Sequence, residues 1–385
     1  MSLKNMSLKI GLLLTVLVIV AFVVAGNQKP VQAGEIPPAS GYKVLDPIRH
    51  GNLTVFPVVT AKSYPTSEFL TLDEGLRSGE VVVTEAGIVQ GLVRRPPTPA
   101  VHHEGAEVNR LVLVNNSSRP LLLLAGEIVS GGKQDRVIAK DRIVPAESDP
   151  IDLGVFCVEP GRWVASSQTF GASQAMYAGA NPSPTRIPMA IMAQPSVRSK
   201  AMADKDQQQV WNAVRAQKQA MTNELAVAAP EAASQMSQVT SYAKVNENKE
   251  VRMQVDGIAK PMEQNYQNLI HQLRDRNAVG VVVAVNGRII WSDIFASTEL
   301  LAKYWPKLVR SYAAEAVVTR AKQMDVNVEQ AQAFLANMEG RREVVESEPG
   351  IFRHTEVTGD GFKVFALTAL LPKTGFEVHV AKMAD

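Results

Sequence analysis

The chain has 385 residues, of which 46% are hydrophobic and 20% charged. It is therefore a globular protein able to bury a large core, in one composite domain or two ordinary ones. Its 40 Lys and Arg residues nearly balance 38 Asp and Glu residues. Because no run of like charge resembles a phosphate-binding groove, no nucleic-acid partner is expected.

The N-terminal segment, residues 1–33, has the pattern of an export signal. Lys4 and Lys9 precede an apolar stretch, Ile10–Ala25, and Val31-Gln32-Ala33 has the small-residue spacing that a signal peptidase reads. The stretch is slightly short for a membrane-spanning helix, which favours a cleaved signal peptide over a transmembrane helix that anchors the protein. Both alternatives predict an exported, extracytoplasmic protein, in the periplasm or at the outer face of the cytoplasmic membrane. An uncleaved segment would make the membrane a partner.

Residues 41–163 form a β-rich half. Thr71 is the expected N-cap of one short helix, with Glu74 as its capping-box partner and Gly79 at its end. Asn115–Ser118 predicts a hairpin turn. Elsewhere, short β-branched runs predict strands of a sandwich-like layer, at Leu53–Val59, Glu80–Thr84, Leu111–Val114, Leu121–Leu124, Val137–Ile138, Arg142–Val144 and Leu153–Val158.

Residues 164–203 are rich in Ser, Ala, Pro, Met and Gln and show no sustained hydrophobic period. This composition predicts a low-complexity loop or linker. A segment of this length is either a mobile flap over a neighbouring site or a disordered spacer. The scarcity of bulky anchoring residues favours the spacer.

Residues 204–385 form a half in which helices and strands are mixed. Apolar residues at helical spacing predict helices at Asp204–Ala226 and Glu263–Arg274. Asn286-Gly287 lies between two strand patterns and predicts a type I′ hairpin turn. Ser297 or Thr298 is expected to cap the next helix, and Pro306 is expected to kink it or to begin a new one.

The end of the chain completes the fold class. Asn327 and Gln330 form a capping pair for a predicted helix. Three closing strands are predicted at Phe352–Val357, Phe362–Leu371 and Phe376–Ala381. The chain is therefore α+β, with a β-rich layer followed by a helical and antiparallel-strand half, and the two halves are compatible with one composite domain.

The densest group of polar residues lies on two segments of the β-rich half, GEIVSGGKQDR (Gly126–Arg136) and LGVFCVEPGRW (Leu153–Trp163). Polar and charged side chains on an apolar strand scaffold are what a pocket needs to fix a ligand. The candidate catalytic residues are Lys133, Cys157 and Glu159. The candidate ligand-binding residues are Gly132, Gln134, Arg136, Arg162 and Trp163.

Strand alternation limits the chemistry of Cys157, the single cysteine of the chain. In an extended Val155–Glu159 segment, Cys157 and Glu159 share one face. A nearby carboxylate disfavours the thiolate, which is the nucleophilic form of cysteine. A nucleophilic Cys157 therefore requires nearby cations, those of the 126–136 turn and Arg162, to lower the pKa of its thiol. Glu159 would then be the proton acceptor. In an oxidising compartment the thiol is free or pairs with another molecule. A buried, apolar role is an equal alternative.

Each candidate residue also has a purely structural interpretation. The charged residues of 133–142 would then form a solvated turn with weak ion pairs, and Trp163 would belong to the core. The glycine-rich segment lacks the spacing of a nucleotide phosphate-binding loop. His102-His103-Glu104 has no spaced histidine partner, so neither a metal nor a cofactor is predicted.

The chain resembles the domain family named for association with ADP-ribosylglycohydrolases and rhodanese-phosphatase-superfamily proteins. The resemblance lies in the 126–136 and 153–163 segments, in QQQVWNAV at 207–214 and in VGVVVAVNGRIIWSDIFASTELLAKYWPKLVRSYAAEAV at 279–317. The resemblance covers most of the chain after residue 33. It implies a prokaryotic α+β domain of unsettled activity, linked to ADP-ribose-related chemistry. The export segment and the 164–203 insert depart from the family pattern, and nucleotide-derived substrates are scarce outside the cytoplasm. The motif positions that carry the resemblance are Gly126, Glu127, Gly132, Lys133, Gln134, Arg136, Cys157, Glu159, Arg162 and Trp163.

Two functions are compatible with these residues. The favoured function is that of a ligand-binding or envelope-associated module, in which the polar cluster holds an unknown small polar ligand and no bond is broken. The alternative is an exported hydrolase or transferase acting on a small polar or ADP-ribose-related substrate, with Cys157 as nucleophile or acid/base. No proton-transfer histidine is placed beside Cys157 in the sequence, which favours binding.

Overall fold

The computed structural model describes residues 41–86, 109–161, 166–167, 169–172, 175–177, 187–189, 191–273, 277–319 and 324–385. The predicted export segment, His102-His103-Glu104, Arg162 and Trp163 lie outside these ranges. Within them, no helix combines the length and the hydropathy needed to cross a membrane.

A nine-stranded antiparallel sheet combines strands from both halves of the sequence. Its order is β1 (Tyr42–Val44), β3 (Leu53–Thr60), β16 (Asn277–Val285), β17 (Arg288–Phe295), β21 (Glu377–Ala384), β20 (Phe362–Ala369), β19 (Phe352–Gly359) and β18 (Arg341–Glu348), with β2 (Ile48–His50) paired to β3. Asn286 and Gly287, at φ values of 52° and 80°, form the turn between β16 and β17, which confirms the predicted hairpin. Because β3 pairs with β16 over its full length, the first and last parts of the chain share one sheet.

Six further strands close into an antiparallel barrel. Their order is β12 (Thr169–Ala172), β5 (Val81–Thr84), β6 (Arg110–Asn115), β11 (Ile151–Cys157), β9 (Arg136–Ile138) and β8 (Glu127–Gly131), which pairs again with β12. Alternate side chains such as Leu113, Val129 and Val155 fill the interior. The α+β class is confirmed. Alternation of apolar residues is the same in a barrel and in a sandwich, so the sequence pattern does not distinguish them.

The chain leaves the barrel after β6. β7 (Leu121–Leu123) joins β10 (Arg142–Val144) and β4 (Leu70–Thr71) in a separate three-stranded sheet. The hairpin predicted at Asn115–Ser118 is therefore wrong, because the strands on its two sides belong to different sheets. Asn115 Nδ2 instead donates to the carbonyl oxygens of Arg119 (2.8 Å) and Pro145 (2.9 Å), which directs the turn away from the barrel.

Eight helices are described. They are α1 (Leu72–Ser78), α2 (Pro195–Ser199), which continues as a π-helical turn at Lys200–Asp204, α3 (Gln207–Ala228), α4 (Pro230–Gln238), α5 (Tyr242–Glu247), α6 (Lys249–Gln272), α7 (Thr298–Val318) and α8 (Val328–Ala336). The predicted capping boxes begin α1 and α8, and Ser297 caps α7. α7 continues through Pro306, so of the two predicted alternatives the one in which this proline begins a new helix is wrong.

Parts of the 164–203 segment have regular structure. Four strands, β12, β13 (Ala175–Tyr177), β14 (Ile187–Met189) and β15 (Ile191–Met192), fall within it, as do α2 and all but the last residue of the π-helical turn. β13 pairs with β14, and β15 pairs with β8. Val197 and Ala201 are buried against the outside of the barrel. Of these described parts, β12 is a strand of the barrel, β15 extends its sheet beside β8, and α2 with the π-helical turn packs on its outside.

Helices pack between the barrel and the nine-stranded sheet. α6 and α7 cover one face of the sheet, where Tyr266, Trp291 and Tyr304 are buried in the largest apolar cluster. α8 covers the opposite face through Ala331 and Leu335. α7 contacts both β15 and β16, so it connects the barrel to the sheet.

Candidate functional site

The predicted polar cluster is divided between two places, at opposite ends of β8. Gly126 and Glu127 are at its start, while the turn after β8, with Gly132, Lys133 and Gln134, is at its other end. We call the group around that turn the barrel-end cluster: Glu85, Lys133, Gln134, Asp135, Arg136, Cys157 and Glu159. Arg162 and Trp163 follow this cluster in sequence but lie outside the described residues.

Strand register brings Arg136 and Cys157 together. They are direct partners in the β9–β11 pair, and Val129 is the partner of Arg136 on β8. Direct partners share one face, so both side chains point to the barrel interior, as Val129 does. Arg136 is fully buried, and its Nη2 lies 4.0 Å from Oε1 of Glu85. Sequence reasoning missed Glu85, because nothing in the VVVTEA run distinguishes it.

Backbone N–H groups of the turn bind two of the carboxylates. Lys133 N donates to Glu85 Oε1 (2.8 Å), and Asp135 N donates to Glu159 Oε2 (3.1 Å). Gln134 Nε2 donates to the carbonyl oxygen of Glu159 (3.2 Å). Gly132 has a φ of +49°, and a Cβ at this position would lie 2.2 Å from Phe170 Cζ. The turn is therefore held against the ends of β5, β11 and β12, and its glycine is needed for close packing.

Two acceptor atoms of the barrel-end cluster have no hydrogen-bond partner among the described residues. They are Glu85 Oε2 and Gln134 Oε1, on side chains that are 3% and 5% exposed. Leaving a buried acceptor unpaired costs about 1–3 kcal/mol. Such atoms in native proteins are explained by strain, by function, or by a bound water or ion. Lys133, which is partly exposed, is where the cluster meets solvent.

Cys157 is fully buried, and Glu159 N donates to its Sγ at 3.3 Å. Burial raises the pKa of the thiol by more than the Glu159 N–H, Trp211 and Arg136 lower it. This direction is opposite to the one that a nucleophilic thiolate requires.

We therefore expect Cys157 to react slowly with iodoacetamide near neutral pH. The rate in the folded protein should be at least about tenfold below that of glutathione, because the thiolate is the reactive form and the sulfur is buried. Mass spectrometry of the alkylated protein over time measures this rate, and the same protein in guanidinium is the control. Native labelling as fast as glutathione would contradict a buried, protonated thiol.

The other place is a network of buried ions centred on Asp293 of β17. Its carboxylate accepts from Nη1 and Nη2 of Arg198 (3.0 and 3.1 Å) and from the Tyr312 hydroxyl, and it lies 3.1 Å from His379 Nε2. His379 Nδ1 lies 2.6 Å from Asp141 Oδ2. Burial alone would lower the pKa of His379, but the two carboxylates raise it to about 9. The imidazolium therefore donates to both carboxylates.

Lys307 of α7 forms a second group of buried ions, at the start of β8. Its Nζ donates to Asp73 Oδ2 (2.6 Å) and to Glu127. Glu127 Oε2 also accepts from Leu124 N (2.8 Å). The side chain of Arg198 packs directly against Gly126. A Cβ at this position would lie 2.5 Å from Arg198 Cγ. Gly126 leaves space for Arg198 of the first group, and Glu127 belongs to the second. We call the two groups together the ion network; their residues come from the barrel, the helices and the sheet.

Sequence reasoning missed most of this network. The available signal was an ionisable residue inside an apolar run, such as Asp293 in RIIWSDIF and His379 in FEVHVA. Such residues are buried only when they are paired. In the part of the chain that the structure describes, no three metal-ligating side chains are arranged to share an ion.

Comparison with protein families identifies the domain. The family model of the ARG and Rhodanese-Phosphatase-superfamily-associated Protein domain, ARPP-1, matches residues 41–382. The chain belongs to this family. The predicted resemblance is confirmed, and the ARPP-1 domain contains both the barrel-end cluster and the ion network. No curated protein and no solved structure matches the chain.

Proposed function

We propose that this ARPP-1 domain binds a small polar ligand at the barrel-end cluster and breaks no bond in it. The observation that carries the proposal is the pair of buried acceptors, Glu85 Oε2 and Gln134 Oε1, which have no partner among the described residues. A ligand with hydroxyl or N–H groups supplies the donors that these atoms lack.

Charge favours a neutral or cationic ligand. The described cluster contains three carboxylates, on Glu85, Asp135 and Glu159, against the cations Lys133 and Arg136. The phosphates of ADP-ribose would add negative charge beside these carboxylates. A sugar-like ligand with several hydroxyl groups suits the cluster better. It also agrees with the proposed extracytoplasmic location, where nucleotide-derived ligands are scarce.

The hydrolase or transferase alternative has less support. Covalent catalysis by Cys157 needs a thiolate near neutral pH and a base to generate it. Burial raises the pKa of Cys157. As far as the structure describes the cluster, it contains no histidine, and the buried His379 belongs to the ion network.

The test is binding of D-ribose, with ribose 5-phosphate as its anionic counterpart, measured by calorimetry and by thermal shift. We expect ribose to bind more tightly than its phosphate. Glu85→Gln should weaken ribose binding by about tenfold or more, because a hydrogen bond to a charged group contributes about 1.5–3 kcal/mol. Gln134→Leu removes the second acceptor and should have a smaller effect in the same direction.

Gln217→Leu is the matched control for Gln134→Leu. Gln217 of α3 is 4% exposed, and within the described ranges its amide atoms also lack partners, but it lies outside the barrel-end cluster. This substitution should leave the affinity for ribose unchanged. Equal weakening by both substitutions would contradict a site at the barrel end. So would failure of ribose, glucose and glycerol alike to bind.

A further inference from the structure

A separate cleft of about 160 Å³ shares no lining residue with the barrel-end cluster. It is bounded by α2, by α7 and by the paired strands β17 and β21. Its polar lining consists of Ser196, Ser199, Arg288, Trp291, Glu315 and Asp385. None of these residues belongs to the barrel-end cluster or bonds directly to Asp293.

Glu315 supplies a carboxylate to this cleft. Its Oε2 accepts from the backbone N (3.1 Å) and the hydroxyl (2.7 Å) of Ser196. Among the described residues these are its only side-chain hydrogen bonds, so Oε1 has capacity for a donor. Burial raises the pKa of Glu315 by more than the Ser196 bonds lower it. A cation at Oε1 would therefore relieve an unfavourable burial of charge.

Trp291 supplies a donor. It lines the cleft and is 1% exposed, yet its Nε1–H has no acceptor in the described structure. The guanidinium of Arg198 lies 4.5 Å from the ring centroid. The register of β16 and β17 shifts beside this residue, so that Ile290 is an extra residue in a β-bulge. Bulges of this kind reorient side chains next to binding sites.

Charge and size define the ligand class. The carboxylates of Glu315 and Asp385 outnumber the single guanidinium of Arg288, whose Nη2 already donates to the main-chain oxygen of Asp385 (2.6 Å). The excess of negative charge favours a cation. The volume equals that of roughly five water molecules in the liquid, so it admits a molecule of only a few heavy atoms.

We propose that this cleft binds a small organic amine that also carries an oxygen acceptor. The ammonium group donates to Glu315 Oε1, and the oxygen accepts from Trp291 Nε1–H. A charge-assisted hydrogen bond of this kind is about twice as strong as a neutral one, which makes Glu315 the main determinant of affinity. The proposal is independent of ligand binding at the barrel-end cluster.

Ethanolamine is the probe, and the indole N–H signals in a heteronuclear NMR spectrum of the full chain are the readout. The chain has four tryptophans, so Trp291→Phe identifies the signal of Trp291. We expect ethanolamine to shift this signal saturably, with a Kd on the order of 1 mM. Ethylene glycol, which lacks the charge, should bind at least about tenfold more weakly.

Glu315→Gln retains an oxygen for Ser196 and removes the charge, so it should weaken ethanolamine binding at least about tenfold. Glu299→Gln, at the exposed start of α7, is its control. Trp291→Phe should weaken binding in calorimetry. Trp305→Phe should leave binding unchanged. The Nε1–H of Trp305 is likewise buried without an acceptor among the described residues, so this variant is a matched control.

Three results would overturn the proposal. The first is a Trp291 signal that ethanolamine does not move in the wild-type protein. The second is equal binding by wild type and folded Glu315→Gln. The third is an unchanged affinity in Trp291→Phe, which is the deciding variant if Glu315→Gln does not fold.

Discussion

Replacing Asp293 by alanine is expected to lower the free energy of unfolding by about 3–5 kcal/mol. The carboxylate is fully buried and pairs with Arg198, His379 and Tyr312. Its removal leaves the guanidinium in an apolar interior with no replacement for its paired oxygens. Breaking a buried ion pair from one side costs far more than the pair contributes when it is intact.

Urea unfolding followed by circular dichroism measures this loss. Asp204→Ala is the control, because Asp204 pairs with Lys200 (2.9 Å) in a partly exposed bridge within one helical turn. That substitution should cost less than about 1 kcal/mol. If Asp293→Ala costs no more than Asp204→Ala, the network does not hold the barrel to the sheet as described.

Gly126→Ala is expected to cost about 2–5 kcal/mol in the same measurement. Gly126 has a φ of +95°, a conformation that alanine adopts only with strain. The added Cβ would also lie 2.5 Å from Cγ and 2.8 Å from Cδ of Arg198. Since Arg198 is fixed by Asp293, it cannot move away without weakening the ion network.

Gly51→Ala isolates the backbone contribution. Gly51 has a φ of +58°, but nothing lies within 4 Å of a Cβ placed there. Gly51→Ala should therefore lower the free energy of unfolding by only about 1–2 kcal/mol. If the two glycine substitutions lowered the free energy of unfolding equally, the close contact between the added Cβ and Arg198 would contribute nothing to the loss. The Gly126→Ala loss should also be smaller in an Asp293→Ala background, because residues of one network are not additive.

The Gly126→Ala prediction and the Glu85→Gln prediction assign different roles to the two ends of one family motif. The Gly126-Glu127 end supports the ion network through Arg198 and Lys307. The Gly132–Arg136 end forms the barrel-end cluster with Glu85. Substitutions at the first end should therefore reduce stability, whereas Glu85→Gln should mainly reduce ligand affinity.

Features that depend on neighbouring residues were predictable from the sequence alone. The Thr71–Glu74 and Asn327–Gln330 capping boxes and the Asn286-Gly287 turn all match the structure. Each is decided within a few residues, by a side chain bonding to a nearby backbone N–H or by tolerance of positive φ. The α+β class and the polar character of the 126–136 and 153–159 segments follow from similarly local patterns.

Features that depend on distant partners were decided by the tertiary structure. Whether Cys157 is reactive depends on its burial, and whether Arg136 meets Glu85 depends on closure of the barrel. Asp293 and His379 are far apart in sequence from Arg198 and Asp141, and only packing brings them together. A charge is stable inside a protein only beside its partner, and local sequence patterns do not specify which distant residue that partner will be.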